Sequence, residues 1–322
     1  MYLSYRVAKP SDYSQCFQVM SDRRAFPDQK SHKLLFSFWN YLRTRRAAIA
    51  PVVEDHDRPR GRRIVAFSMS FFMSDEFALA ACADLPPYIG LQAARWWRAG
   101  RLPVLGPKAV ARENAGGGLN LMVFHYGVEP QKDLNDELQI RGKMLEAGTY
   151  LHGGYRIKAV FQETNTLQDK NLIVPTGLRV QRDYSGFDLG LPADSPTWPF
   201  LFGLRREEAL KTISLVTPLF IFSPPRFGFS PSAQRVLQQA LLGETDKEIG
   251  KGLDLSIWTV KKRWQEIYAK VEKVEPGLLN PSHDEKAAPG EEPAIQRRRL
   301  FLTYLRTHLE EIRPYEKLRV SS

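Results

Sequence analysis

Apolar residues recur along most of the chain at the spacing of helices or strands. Leu34, Leu35, Phe38 and Leu42 fall three to four residues apart, so residues 31–46 are predicted helical. Residues 63–73 (RIVAFSMSFFM) and 119–128 (LNLMVFHYGV) are apolar runs of strand length and read as buried strands. Between them, residues 88–101 read as a helix carrying Trp96 and Trp97, and after them residues 135–150 read as a further helix. Residues 155–161 (YRIKAVF), after the Gly153-Gly154 turn, make a strand, and residues 178–184 a last one. Strands interleaved with helices argue for α/β or α+β architecture rather than a bundle.

The pattern changes near residue 191. Residues 191–228 are rich in Pro and aromatics and read as a packed connector, since flexible linkers are poor in aromatic residues. Ser230 then caps a helix over residues 232–242 that Gly243 ends. Thr245, with Glu248 three residues on, forms a capping box for a second helix, 246–252. Leu253-Asp254-Leu255 is a turn, and Ser256 caps a third helix running to about residue 273. Two short helices across a tight turn make a helix-turn-helix. A polar, Pro-containing stretch follows, and residues 295–312 close the chain as an amphipathic helix. The expected organisation is α+β: an α/β domain over 1–190, a connector over 191–228, a small all-α domain over 229–274, and a linker with a C-terminal helix over 275–322.

On the third helix, Val260, Trp264, Ile267 and Val271 form one apolar stripe, expected to pack on Ile249 and Leu253. Trp258, Lys261, Lys262 and Gln265 fall on the opposite face. Ammonium and amide groups near a helix N-terminus suit phosphates and base edges in the DNA major groove. Arg263 and Thr259 flank that face, with Ser256 at its start. Thr245 and Lys247, at the start of the second helix, are further phosphate candidates.

Charge agrees with a polyanionic partner: the net charge is +10 over 322 residues. The two cysteines, Cys16 and Cys82, form no metal-binding pair and no disulfide framework, which fits a reducing compartment. The N-terminus lacks a signal-peptide core and no apolar run reaches membrane-spanning length, so the protein is expected to be cytoplasmic, with no membrane partner. His125, His152, His283 and His308 show no metal-ligand spacing, so no metal is expected.

Residues 230–268 resemble the LuxR-type helix-turn-helix of bacterial transcription regulators. Ser230-Pro231 stands where that family has its Ser/Thr-Pro pair. Gly243–Ile249 matches its second-helix pattern, and Gly250 departs from the usual alanine. Ser256, Thr259, Val260, Lys261, Ile267 and Tyr268 match its recognition helix, while Arg263 replaces a His and Trp264 an aliphatic. The resemblance implies a regulator that reads duplex DNA, as a homodimer on a two-fold site.

The first 185 residues are similar, more faintly, to GNAT acetyltransferases. The likeness rests on Tyr5-Arg6-Val7, on Leu119–Pro130, on Gly154-Tyr155-Arg156 through Asn165, and on Gly177-Leu178 through Tyr184. That family grips the pyrophosphate of coenzyme A with a glycine-rich turn opening a helix. The corresponding Gln131-Lys132-Asp133-Leu134-Asn135-Asp136 has no glycine and two carboxylates. Arg141-Gly142-Lys143 lies too close to the next strand to serve instead. The expectation is therefore a GNAT-like domain that senses a small-molecule or protein signal or mediates dimerisation, without enzymatic activity, catalytic residues or cofactor. The alternative is an N-acetyltransferase carrying an accessory helix-turn-helix. In that case Glu163 is a candidate base, against a default role as a solvated carboxylate at a strand end.

Overall fold

The two longest apolar runs become neighbouring strands. In the computed structural model, which describes residues 1–19, 29–188, 197–280 and 293–316, strand β4 (Ile64–Met73) is buried along its whole length. It follows β1 (Leu3–Val7), β2 (Ala48–Ile49) and β3 (Pro51–Asp55), and precedes β5 (Leu119–Val128), β6 (Ile157–Thr166), β7 (Arg179–Asp183) and β8 (Thr197–Arg205). The sheet runs β1-β3-β4-β5-β6-β8-β7, with β2 also on β4. Its pairs are antiparallel except β5–β6.

Helices cover both faces. The intervening helices are α1 (Tyr13–Val19), α2 (Gln29–Thr44), α3 (Asp75–Ala83), α4 (Ile89–Arg98), α5 (Pro107–Ala115), α6 (Leu134–His152), α7 (Leu167–Ile173) and α8 (Arg206–Ala209). One face packs Phe67, Met69 and Phe71 of β4 against Phe38 and Leu42 of α2 and Ala93 of α4. On the other, Val53, Val65 and Val128 meet Ile140 and Met144 of α6. Two faces covered by helices explain why β4 carries apolar residues on both of its faces, with Ser68 and Ser70 as its only polar positions.

The chain divides into two compact units, 1–221 and 222–322. The aromatic stretch read as a connector needs correction. Its residues 197–205 form β8, an inner strand between β6 and β7 that pairs Thr164 with Phe200 and Val180 with Phe202. Phe200, Phe202 and Leu204 are buried there, as are Leu219 and Phe220 beyond it. Pro199 and Gly203 disguise the strand, because neither residue type favours a strand interior. Residues 191–196 of that stretch, residues 281–292 of the polar linker (with His283) and the C-terminal residues 317–322 lie outside the described residues.

In the second unit, α9 (Pro231–Leu241), α10 (Asp246–Leu253) and α11 (Ile257–Val274) begin at Ser230, Thr245 and Ser256, whose hydroxyls accept from Ala233, Glu248 and Thr259 N–H groups. The stripe Val260, Trp264, Ile267, Val271 is buried in one cluster with Ile249 and with Phe301 and Leu305 of α12 (Pro293–Thr307). Asp254, in the left-handed conformation, ends α10. A Cβ at Gly250 would lie 2.8 Å from the Leu255 carbonyl oxygen. The turn therefore passes closer here than an alanine allows, which accounts for the glycine. The indole of Trp264 donates to Asp246 at 3.2 Å, and Arg298 of α12 reaches the same carboxylate at 2.6 Å while lying 4.7 Å from the Trp264 ring. The larger core residue is accommodated by these polar contacts. No helix among the described residues is long and apolar enough to cross a membrane.

Candidate functional site

The parallel strands β5 and β6 pair only from Leu119 to Val123 and from Ile157 to Gln162, although β5 continues to Val128 and β6 to Thr166. The other edge of β5 is irregular at the same point. Against β4, Met69 faces His125 and Ser70 faces Val123, so Phe124 is an extra, bulged residue. A bulge bends its strand and increases local twist. Here the bulge coincides with the point where β5 and β6 part.

A cavity of about 300 Å³ lies along this divergence. Its walls come from Leu121, Val123 and Tyr126 of β5, Val160, Gln162 and Thr164 of β6, one face of α6 (Leu138, Arg141, Leu145, Thr149), Leu172 and Ile173 of α7, and Val216 and Leu219. A mostly apolar hollow with few polar groups is the usual form of a small-molecule site. Leu138 and Leu215 line it and remain exposed, so they stand at its mouth.

The polar groups are few and specific. Thr164 Oγ1 and Asn165 Oδ1 are buried with no hydrogen-bond partner among the described residues. A buried polar atom left unpaired costs about 1–3 kcal/mol, so these two mark where a ligand group would be welcome. On the α6 wall, Arg141 pairs with Glu137 at 2.8 Å and Asp169 at 3.4 Å and lies 5.7 Å from the Tyr126 ring. Burial raises the Tyr126 phenol's pKa, against the lowering effect of Arg141. His152, at the end of α6, donates from Nδ1 to the Gly148 carbonyl at 2.7 Å. That leaves Nε2 to accept from the Ser70 hydroxyl at 2.6 Å.

Glu163 also lines the cavity, but it is not a solvated carboxylate. Its two oxygens accept from the backbone N–H groups of Tyr88 at 2.7 Å and Ile89 at 2.9 Å. It thus caps α4, whose first flanking residue, Tyr88, holds a left-handed φ of 66°. The Tyr184 hydroxyl is buried without a hydrogen-bond partner among the described residues, and burial raises its pKa, with Glu163 nearby adding to the shift.

The start of α6 does not fit a pyrophosphate. The Asp133 carboxylate takes the Asn135 N–H at 2.9 Å, and Asp136 and Glu137 occupy the first turn. Those groups satisfy the helix end and would repel an anion placed there. The start of α6 thus offers no nest for phosphates, while the cavity beside it is mostly apolar.

The predicted DNA-facing residues lie together on the second unit. Trp258, Lys261, Lys262 and Gln265 are exposed on one side of α11, as is Lys247 on α10. The Lys262 ammonium stands 5.5 Å from the Trp258 ring, and Trp258 is 70% exposed, so it is not a packing residue within this unit. Thr245, Ser256 and Thr259 are engaged in the helix caps, with the Ser256 and Thr259 hydroxyls 2.8 Å apart. Arg263 is tied to Glu266 at 2.5 Å. Residues that charge and spacing did not single out are Tyr126, Thr164 and Asp169, brought together from β5, β6 and α7 with Arg141 of α6, which was weighed only as part of a phosphate turn. Among the described residues no group of three or more His, Cys, Asp or Glu side chains could hold a metal ion.

No protein-family model matches the chain, and no curated protein does. Solved structures do match in fold. FeeM, an N-acyl amino acid synthase from uncultured soil microbes, is 9% identical over 64% of this chain and 94% of its own, with a TM-score of 0.35. An agmatine N-acetyltransferase is 14% identical over 63% of this chain and 100% of its own, also with a TM-score of 0.35. The ribosomal-protein-S18-alanine N-acetyltransferase from Escherichia coli is 7% identical over 63% of this chain and 94% of its own, at 0.35. These values bear on the fold alone. They correct one expectation: a chain expected not to be an enzyme, for want of a glycine-rich turn, folds over about 64% of its length like acyl- and acetyltransferases.

Proposed function

We propose that the N-terminal unit is an N-acyltransferase and that the C-terminal unit holds it at duplex DNA. The observation that carries the first part is the cavity opened where β5 and β6 part. It offers an apolar trough for a thioester's acyl group and arm, with unpaired polar atoms of Thr164 and Asn165 along it. In the reaction an amine attacks the thioester carbonyl, a C–N bond forms, the C–S bond breaks, and a proton passes from nitrogen to the departing thiolate. The Thr164 hydroxyl is the donor available to the carbonyl oxygen as charge develops on it, and Asn165 Oδ1 accepts from the amine N–H. The apolar walls exclude water, which limits hydrolysis of the thioester. Thiol release from acetyl-coenzyme A in the presence of a panel of small amines and peptides tests this. No amine-dependent release and no donor binding by calorimetry would remove the reading.

The specific observation behind the second part is the exposed face of α11, which carries Lys261, Lys262, Gln265 and Trp258 on a helix whose opposite stripe is buried. The agreement of caps, core and basic positions with LuxR-type readers supports it, and a homodimer on a two-fold site follows from the same reading. Lys262→Ala is expected to weaken specific binding by about 1–3 kcal/mol if it meets a base. If it meets phosphate, binding weakens across all sequences and the salt slope falls by about one. Selection from random duplex DNA, followed by titration at two salt concentrations, distinguishes these. Unchanged affinity and slope would sink the assignment of Lys262.

A further inference from the structure

The acidic start of α6 leaves the anionic end of a phosphorylated thioester without its expected seat, yet the connection between β3 and β4 brings cations beside that helix. Arg58 donates from Nη1 to Glu129 at 2.5 Å and from Nη2 to Gln131 at 3.2 Å, and both acceptors belong to the segment joining β5 to α6. Its Nε reaches Asp55 at 3.2 Å, and Arg63 Nε donates to the Arg58 carbonyl at 3.1 Å. Gln15 donates to the Gly61 carbonyl, so the loop is also held at its middle. These contacts fix the loop against the β5–α6 connection.

Within the loop the carboxylates are already used. Asp55 serves Arg58, and Asp57 takes the N-terminal amine at 3.4 Å. Arg60 and Arg62, on a single turn of 3-10 helix (Arg60–Arg62), are exposed and have no carboxylate partner among the described residues. The two guanidinium groups stand two residues apart on a turn that Gln15 of α1 holds at its middle and that Arg58 ties to the segment leading into α6. Planar guanidinium groups suit phosphate through paired N–H donors.

We propose that Arg60 and Arg62 receive the phosphate groups of a coenzyme A-type donor, replacing the backbone N–H groups that the start of α6 withholds. The proposal rests on the acyltransferase reading and names where that donor's anionic end lies. Its test compares coenzyme A with pantetheine, which lacks every phosphate, by calorimetry on the full-length protein. Coenzyme A is expected to bind at least about tenfold tighter than pantetheine, in keeping with charge-assisted contacts. The double change Arg60→Glu with Arg62→Glu brings coenzyme A down to the pantetheine level and leaves pantetheine where it was. The double change Arg60→Lys with Arg62→Lys keeps most of the difference. Unaltered coenzyme A affinity after charge reversal would overturn the proposal while leaving the acyltransferase reading in place. So would an equal loss for both ligands, which would make the loop's role structural. If neither ligand binds the unaltered protein, the acyltransferase reading fails and the proposal with it.

Discussion

Replacing Val160 by Phe is expected to abolish donor binding and acyl transfer together, by about a hundredfold or more, while the protein stays folded. Val160 is 3% exposed, sits opposite Leu121 and Leu204 in the sheet, and turns its side chain into the cavity. A phenyl ring there fills space that a ligand needs. A hundredfold corresponds to about 2.7 kcal/mol, the burial of three to four methylene groups. Overpacking a filled core costs about 1–3 kcal/mol, but this ring enters open space, so the stability cost falls at the low end of that range. The complementary change, Val160→Ala, widens the cavity and is expected to keep binding within a few-fold, with a loss of stability of about 1–3 kcal/mol. Calorimetric titration of coenzyme A thioesters, paired with thermal unfolding, reads both effects. A folded Val160→Phe protein that binds and turns over normally would place the ligand elsewhere.

What could be read from the sequence follows from which interactions are local. The strands β4 and β5 were legible because both faces are largely buried and most positions are apolar. The helix α11 was legible because its stripe repeats at three and four residues and its cap is a single serine. Strand β8 was not, because Pro199 and Gly203 break the pattern while the pairing that stabilises it comes from β6, about forty residues earlier. The cavity was not legible either. It depends on one extra residue in β5, Phe124, whose effect on the neighbouring strand appears only once three strands are aligned. Arg141 and Asp169 lie 28 residues apart and meet only because α7 follows the part of β6 that leaves β5. The expectation of a non-enzymatic domain weighed a single absent turn. The space that a substrate would use arises from register and bulging, which composition does not encode.

Acid is expected to destabilise the N-terminal unit through His125 well before its carboxylates titrate. His125 is 4% exposed, with its ring 4.8 Å from that of Trp39 and 4.1 Å from that of Phe124. Burial in this apolar setting pushes its pKa down to about 3. In the unfolded chain an imidazole titrates near 6.5, so below that pH the unfolded state takes up a proton that the folded state refuses. The stability that the neutral ring contributes is complete above about pH 6.5 and is lost progressively as the pH falls toward 3. The slope approaches 1.4 kcal/mol per pH unit, giving about 2 kcal/mol by pH 5. Asp12, whose burial raises its pKa but whose hydrogen bonds from Arg6 and the Lys9 N–H lower it overall, adds its own loss once the pH falls into the ordinary carboxylate range and below. The His125 loss therefore begins at a higher pH than that of Asp12. His125→Phe keeps an aromatic ring of similar size between Trp39 and Phe124 and has nothing to protonate, so its urea midpoint should stay nearly flat between pH 7 and 5 while that of the unaltered protein falls. Parallel curves for the two proteins across that interval would show that His125 is already charged, or already reached by water, in the folded state.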